Sequence, residues 1–262
     1  MTSKASSRYR RAVLGLGTGS IDRHMLRAAG EFARLLELEM LGLFIEDRSL
    51  LGLAALPFSR ELRLPGHDWQ TLEPQRVGDE LRAAAEQAQR LFRQEIASQG
   101  VACRFEVRAG DPGKVAGDVA QTGDILIVAE PMEIEALASA STPARRAALS
   151  SAAAVLLLPR SGMPQRGPVA AVASGPAGAC FELASRIAES AGEEAVTVPG
   201  GLVSTATLMR SLQHALGPHR ERLLILPRSA SMHDDVPQEI ASLRKVPVLI
   251  VGAEEDQPPS IA

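Results

Sequence analysis

The chain has 262 residues, 45% of them apolar, with 28 basic and 31 acidic side chains and a net charge of −3. That length suits one large α/β domain or two of roughly 130 residues, with enough apolar content for a core. The near balance of charge leaves no electrostatic footprint for nucleic acid, and one Trp and one Tyr are too few for base-stacking platforms.

In chain order, the basic start Met1–Ala12 lacks the apolar region and cleavage site of a signal peptide and reads as a tail. Arg11–Leu16 is a strand, and Gly17 to Ser20 turn it into a helix over Ile21–Leu36 that Ser20 or Asp22 would cap. Leu38–Ile45 is a second strand closed by Glu46 and Asp47. Pro57 divides Leu50–Leu64 into a short helix and a loop, expected to lie as a lid over the sheet, with a partner or ligand surface as the other reading. Gly66–Gln75 reads as a loop holding the sole tryptophan.

Arg76–Gln99 is a long helix with an apolar stripe of Val77, Leu81, Ala84, Ala88, Leu91 and Ile96, stopped by Gly100. Val101–Arg108 is a strand, Gly110, Asp111 and Pro112 turn it into a helix over Lys114–Gln121, and Gly123–Pro131 (GDILIVAEP) is an unbroken apolar strand of the buried parallel kind. A short helix near Pro143–Ser151 and a fifth strand at Ala154–Leu158 follow. The alternation of strands and helices predicts a parallel sheet with right-handed crossovers. Ligands of such sheets sit outside the carboxyl ends of strands, which directs attention to the residues after Val128.

Ser161–Pro168, with two prolines and two glycines, is the clearest boundary. Beyond it a shorter copy of the pattern begins: strands at Pro168–Ala173, Ala195–Val198, Arg222–Leu226 and Val246–Val251, and helices over Ala177–Ala191 and Ser204–Leu216. RAVLGLGTGS aligns with PVAAVASGPA and DILIVAEP with RLLILPRS, so the reading is an internal duplication. It comprises a domain over 1–160, a linker over 161–167, a shortened second domain over 168–252 and a tail over 253–262.

Residues 9–160 resemble the universal stress protein family in element order and in Gly110, Asp111 and Pro112; 168–252 resemble it more weakly. The resemblance implies two tandem parallel-sheet α/β sandwiches, the second shortened, packed as a pseudo-dimer through their last strands, Ala154–Leu158 and Val246–Val251. It implies a stress-response or regulatory module without catalytic residues, partnered by another protein or by itself, with a homodimer as one form.

Family members end their first strand in Asp-Gly-Ser and follow their fourth with a G-x2-G-x9-G-(S/T) phosphate loop. Here Thr18, Gly19 and Ser20 stand in the first place. Around Ala129, Pro131, Ser141 and Thr142 only the terminal hydroxyl survives of the second. Glycines there let backbone N–H groups reach phosphate oxygens, and Glu130, Glu133 and Glu135 add like charge beside a triphosphate. The expectation is that the ATP site is lost and no cofactor is held. The alternative is ATP or AMP on a modified site of Thr18, Gly19, Ser20, Ala129, Ser141 and Thr142.

A second alternative, a dinucleotide-dependent enzyme, rests on Gly15, Gly17 and Gly19 with Glu46 or Asp47 as the ribose acid, although the spacing is not G-x-G-x-x-G. In the second half Ser174, Gly175 and Pro176 replace the acidic turn, and Arg228 reads as a solvated arginine or an anion contact.

Cys103 and Cys180 stand far apart, which suggests buried thiols in a reducing cytoplasm and no disulfide framework. The five histidines show no metal spacing beyond the loose His214 and His219, so no metal is expected. The apolar run Ala147–Leu158 is broken by Ser150 and Ser151 and is shorter than the roughly 18 residues of a membrane helix, so no membrane insertion is expected.

Overall fold

A computed structural model describes residues 8–17, 21–63, 68–129, 148–149, 151, 153–173, 178–199, 204–228 and 236–252. In it one nine-stranded sheet runs through the whole molecule. The first half supplies β1 (Arg11–Leu16), β2 (Glu39–Asp47), β5 (Cys103–Gly110), β6 (Asp124–Ala129) and β7 (Ala154–Leu158), and the second β8 (Val169–Val172), β9 (Ala195–Val198), β10 (Leu223–Pro227) and β11 (Val248–Val251). Their order is β5-β2-β1-β6-β7-β11-β10-β8-β9. Within each half every neighbouring pair is parallel. The halves meet where β7 and β11 pair antiparallel, Val248 opposite Leu157 and Ile250 opposite Val155.

Read outward from that junction, both halves follow one succession: β7, β6, β1, β2, β5 on one side and β11, β10, β8, β9 on the other. The second stops where a counterpart of β5 would stand. Because the junction is antiparallel, the carboxyl ends of the first five strands lie along one edge of the sheet, and those of the other four along the opposite edge.

Helices cover both faces. On one lie α1 (Arg23–Leu35), α3 (Pro74–Ala97) and α5 (Ala179–Ala191), packed on Leu14, Met40, Ile125, Leu156 and Ile225. On the other, α4 (Pro112–Val119), α6 (Thr205–Leu216) and α7 (Val236–Arg244) meet Val13, Leu41, Leu126, Val155 and Leu224. Covered on both sides, β7, β8 and β11 are buried at every residue, which is why they read as apolar runs without alternation.

Local chemistry sets the helix ends. The Asp22 carboxylate accepts from the His24 N–H to cap α1, and Ser204 caps α6 through the Thr207 N–H. Gly100, with φ +72°, follows the end of α3. The buried face of α3 holds Leu81, Ala85, Ala88, Phe92 and Ile96, shifted from the expected stripe, and also Glu95. That carboxylate is 4% exposed and takes Arg27 Nε at 2.9 Å and Arg23 Nη1 at 3.6 Å from α1. Gly42 is a packing glycine, since a Cβ there would lie 2.8 Å from the Phe105 ring and 3.1 Å from that of Phe92.

Several sequence expectations need correction. The segment expected as a loop around the tryptophan contains β4 (Asp68–Thr71), paired antiparallel with β3 (Arg60–Arg63) so that Trp69 faces Leu62. Leu50–Leu64 does not form a buried lid: α2 (Arg48–Ala54) buries only Ala54, and Phe58 is 91% exposed. Cys180 is buried as expected, whereas Cys103 is only partly covered because β5 is an edge strand. Helix α7 was not foreseen, although Val236, Ile240 and Ala241 give it a readable apolar side. The expected short helix near Pro143–Ser151 lies largely outside the described residues, with Ala148 and Leu149 helical.

The Pro/Gly-rich segment between the halves is tightly packed. Ser161 O accepts from the His24 ring at 3.0 Å, Ser161 Oγ donates to Lys245 O at 3.0 Å, and Met163 is buried.

Candidate functional site

The first carboxyl edge is where the sequence places a nucleotide. Strands β1 and β6 are neighbours, with Leu14 level with Ile127, so they end side by side at Leu16 and Ala129. Ala129 is half-buried opposite Leu158 of β7. Thr18, Gly19, Ser20, Ser141 and Thr142 lie outside the described residues, as do Glu130, Pro131, Glu133 and Glu135. The topology thus brings together the chain exits that lead to both candidate segments.

The rest of this edge is used structurally. Asp47 caps α2, its carboxylate accepting from the Ser49 N–H at 2.8 Å and the Ser49 hydroxyl at 2.7 Å. Gly15, counted toward a glycine turn, is a residue of β1 level with Leu43 of β2, leaving only Gly17 of the described glycines beyond the strand. A Cβ at either position would meet no protein atom within 4 Å. Gly19, the third glycine of the dinucleotide reading, lies outside the described residues. Gly110–Asp111–Pro112 does form the expected turn: Asp111 accepts from the Lys114 N–H at 2.9 Å, and a Cβ on Gly110 would lie 2.7 Å from Val115.

Between β6, β7 and α7, Val128, Leu157, Leu158, Pro159, Gln238 and Ala241 line a hollow of about 10 Å³. That is room for about one water. Helix α7 from the second half lines this hollow with Gln238 and Ala241.

The opposite edge gathers Tyr9, Arg228 and Cys180. Arg228 is not a solvated arginine. Its guanidinium is half-buried and donates to Ala153 O at 2.8 Å and to Ser151 O, while its backbone N–H bonds Val251 O at 2.6 Å. It therefore ties the end of β10 to the residues entering β7 and satisfies carbonyls at the junction. Its buried Nε has no partner among the described residues. Burial holds the Arg228 pKa below its ordinary value, with the nearby Tyr9 opposing that shift.

Tyr9 is 4% exposed, and burial raises its phenol pKa above 10.0 against the opposing pull of Arg8. As pH climbs, the unfolded chain therefore loses the Tyr9 proton before the folded chain does. The contribution of Tyr9 to stability should be level below pH 10 and fall above it, until the folded phenol also ionises. Tyr9 is the one tyrosine in the sequence, so absorbance at 295 nm reports it alone. Native protein should show a midpoint above that of urea-unfolded protein; coincident midpoints would contradict the burial.

Among the described residues no group of three or more His, Cys, Asp and Glu side chains is placed to hold a metal. No helix among them is long and apolar enough to cross a membrane. The described histidines His24, His214 and His219 are exposed. Burial raises the Cys103 pKa, opposed by Arg93, which leaves less thiolate at neutral pH.

Comparison with solved structures agrees with this architecture. A universal stress protein from Archaeoglobus fulgidus DSM 4304 superposes with a TM-score of 0.55 at 13% identity, over 94% of this chain and 97% of that one. A functionally unknown protein from Pseudomonas aeruginosa PAO1 does so with a TM-score of 0.56 at 12% identity, over 96% and 95% of the two chains. The chain has the universal-stress-protein-like α/β fold. No family model matches the sequence, and no curated protein does.

Proposed function

We propose that this chain is a non-enzymatic, cytoplasmic binding or regulatory module of the universal stress protein type. In this reading it is an internally duplicated pseudo-dimer that has lost the ATP site. The observation that supports it best is the exit sequence AEPMEIEA after β6, which supplies acids in place of the glycines that phosphate binding requires. The shared succession of strands about the β7–β11 junction supports a division into domains over 1–160 and 168–252.

The test is what the native protein contains. Protein purified without added nucleotide and then denatured should release far less than one adenine nucleotide per chain by mass spectrometry. One equivalent of ATP or AMP would overturn the reading, and one of NAD would restore the enzyme alternative.

A further inference from the structure

Among the described residues, most of the exposed large apolar side chains lie around α2 and the β3–β4 hairpin, beside β5 at the edge of the sheet. Leu50 (40% exposed), Leu53 (51%), Leu56 (56%), Phe58 (91%), Leu62 (45%) and Trp69 (59%) all face water. Local contacts link residues 50–62. Leu50 and Leu53 lie one turn apart on α2, the Ser59 hydroxyl donates to Leu53 O at 2.5 Å, and the Ser59 N–H bonds Leu56 O at 3.1 Å. From Ser59 the hairpin opens, with Leu62 level with Trp69.

Phe58 and Trp69 alone leave on the order of 300 Å² of aromatic surface in water. With the four leucines the patch passes the roughly 300–600 Å² of the largest patch on a typical monomer. It approaches the ~800 Å² per partner of a standard interface. A two-stranded hairpin on its own is also marginal in water, and this one is braced against α3 by the Glu61–Arg76 ion pair.

We propose that this patch is the face through which two copies of the chain form a two-fold dimer. Charge favours a second copy over other occupants. Asp47 and Asp68 are interleaved around the patch with Arg48 and Arg60, while Glu61 and Arg76 pair with each other within the chain. A two-fold contact sets each residue against another of the same surface and so needs both signs, whereas a lipid surface selects a cationic rim. Strands β7 and β11 already pair with each other inside the chain, so self-association must use another face. This inference is independent of the nucleotide question.

Trp69 is the sole tryptophan, so its emission reads the patch directly. Sedimentation should show two chains per particle at tens of micromolar, and dilution to the monomer should move Trp69 emission to longer wavelength. Phe58→Asp should weaken association by at least about 30-fold, the loss typical of an interface hot spot, with an unchanged far-UV spectrum because Phe58 is exposed. Leu53→Asp on α2 is a second variant expected to do the same. A monomer at hundreds of micromolar overturns the proposal, as does a dimer insensitive to both variants, or a blue shift of Trp69 that appears only with lipid vesicles.

Discussion

Glu31→Ala is expected to cost about 3–5 kcal/mol of unfolding free energy, as breaking a buried ion pair from one side does. Arg222 stands just before β10 with 4% exposure, and its guanidinium donates to the Glu31 carboxylate on α1, 191 residues away in sequence. Its buried Nε already has no partner among the described residues. Without Glu31 the guanidinium would stay charged in a dry site, because arginine cannot shed its proton there. Glu31→Gln keeps an acceptor and should cost less. Glu31→Leu with Arg222→Met should come close to wild type, since apolar replacement of a buried pair is often neutral or stabilising. Urea unfolding followed by circular dichroism measures all three. A loss under about 1 kcal/mol for Glu31→Ala would mean that the pair behaves as a solvated one.

Gly167→Ala is expected to be similarly severe, at about 3 kcal/mol or more. Gly167 has φ +126°, a region that side chains rarely adopt, at a cost of about 1–3 kcal/mol. In addition, a Cβ would overlap the Arg220 carbonyl oxygen and lie 3.2 Å from the Arg222 nitrogen. Both are backbone atoms that cannot swing aside, and overpacking of that kind adds about 1–3 kcal/mol. Gly162→Ala (φ +71°) meets the His24 ring, a side chain able to turn, and should cost less. Gly100→Ala (φ +72°) meets nothing within 4 Å and isolates the backbone cost, about 1 kcal/mol. Equal losses at all three would show that the segment between the halves yields more readily than its packing implies.

The sheet was legible because its physics is local. Runs such as DILIVA and AVLLL have apolar residues on both faces, and Gly-Asp-Pro at 110–112 announces strand, turn and helix in three residues. The meeting of the halves through their last strands, β7 and β11, is what the resemblance implies; the antiparallel sense of the pairing is a finding of the structure.

The β3–β4 pair is not legible in the sequence because its strands of four residues each leave little alternation to detect, and the Trp69–Leu62 pairing joins segments on either side of residues 64–67. Arg228 was misread because its partners, the carbonyls of Ser151 and Ala153, come from the other half and carry no side-chain signature. Of the candidate site the sequence supplied positions, and the fold brings their flanking strand ends together at Leu16 and Ala129. Helix α7, which lines the hollow beside β6, lies more than 100 residues further along the chain, beyond any local pattern.

The central claim is that the first carboxyl edge does not hold adenine nucleotide, and the melting temperature of the full chain with and without millimolar ATP tests it most directly. A site filled to 100 times its Kd adds about 2.7 kcal/mol to a folded protein, a rise of several degrees for a chain of this size. The account predicts no rise with ATP, AMP or NAD. A saturable rise of several degrees with ATP, abolished by substitution at Ala129 or Thr142, would contradict it.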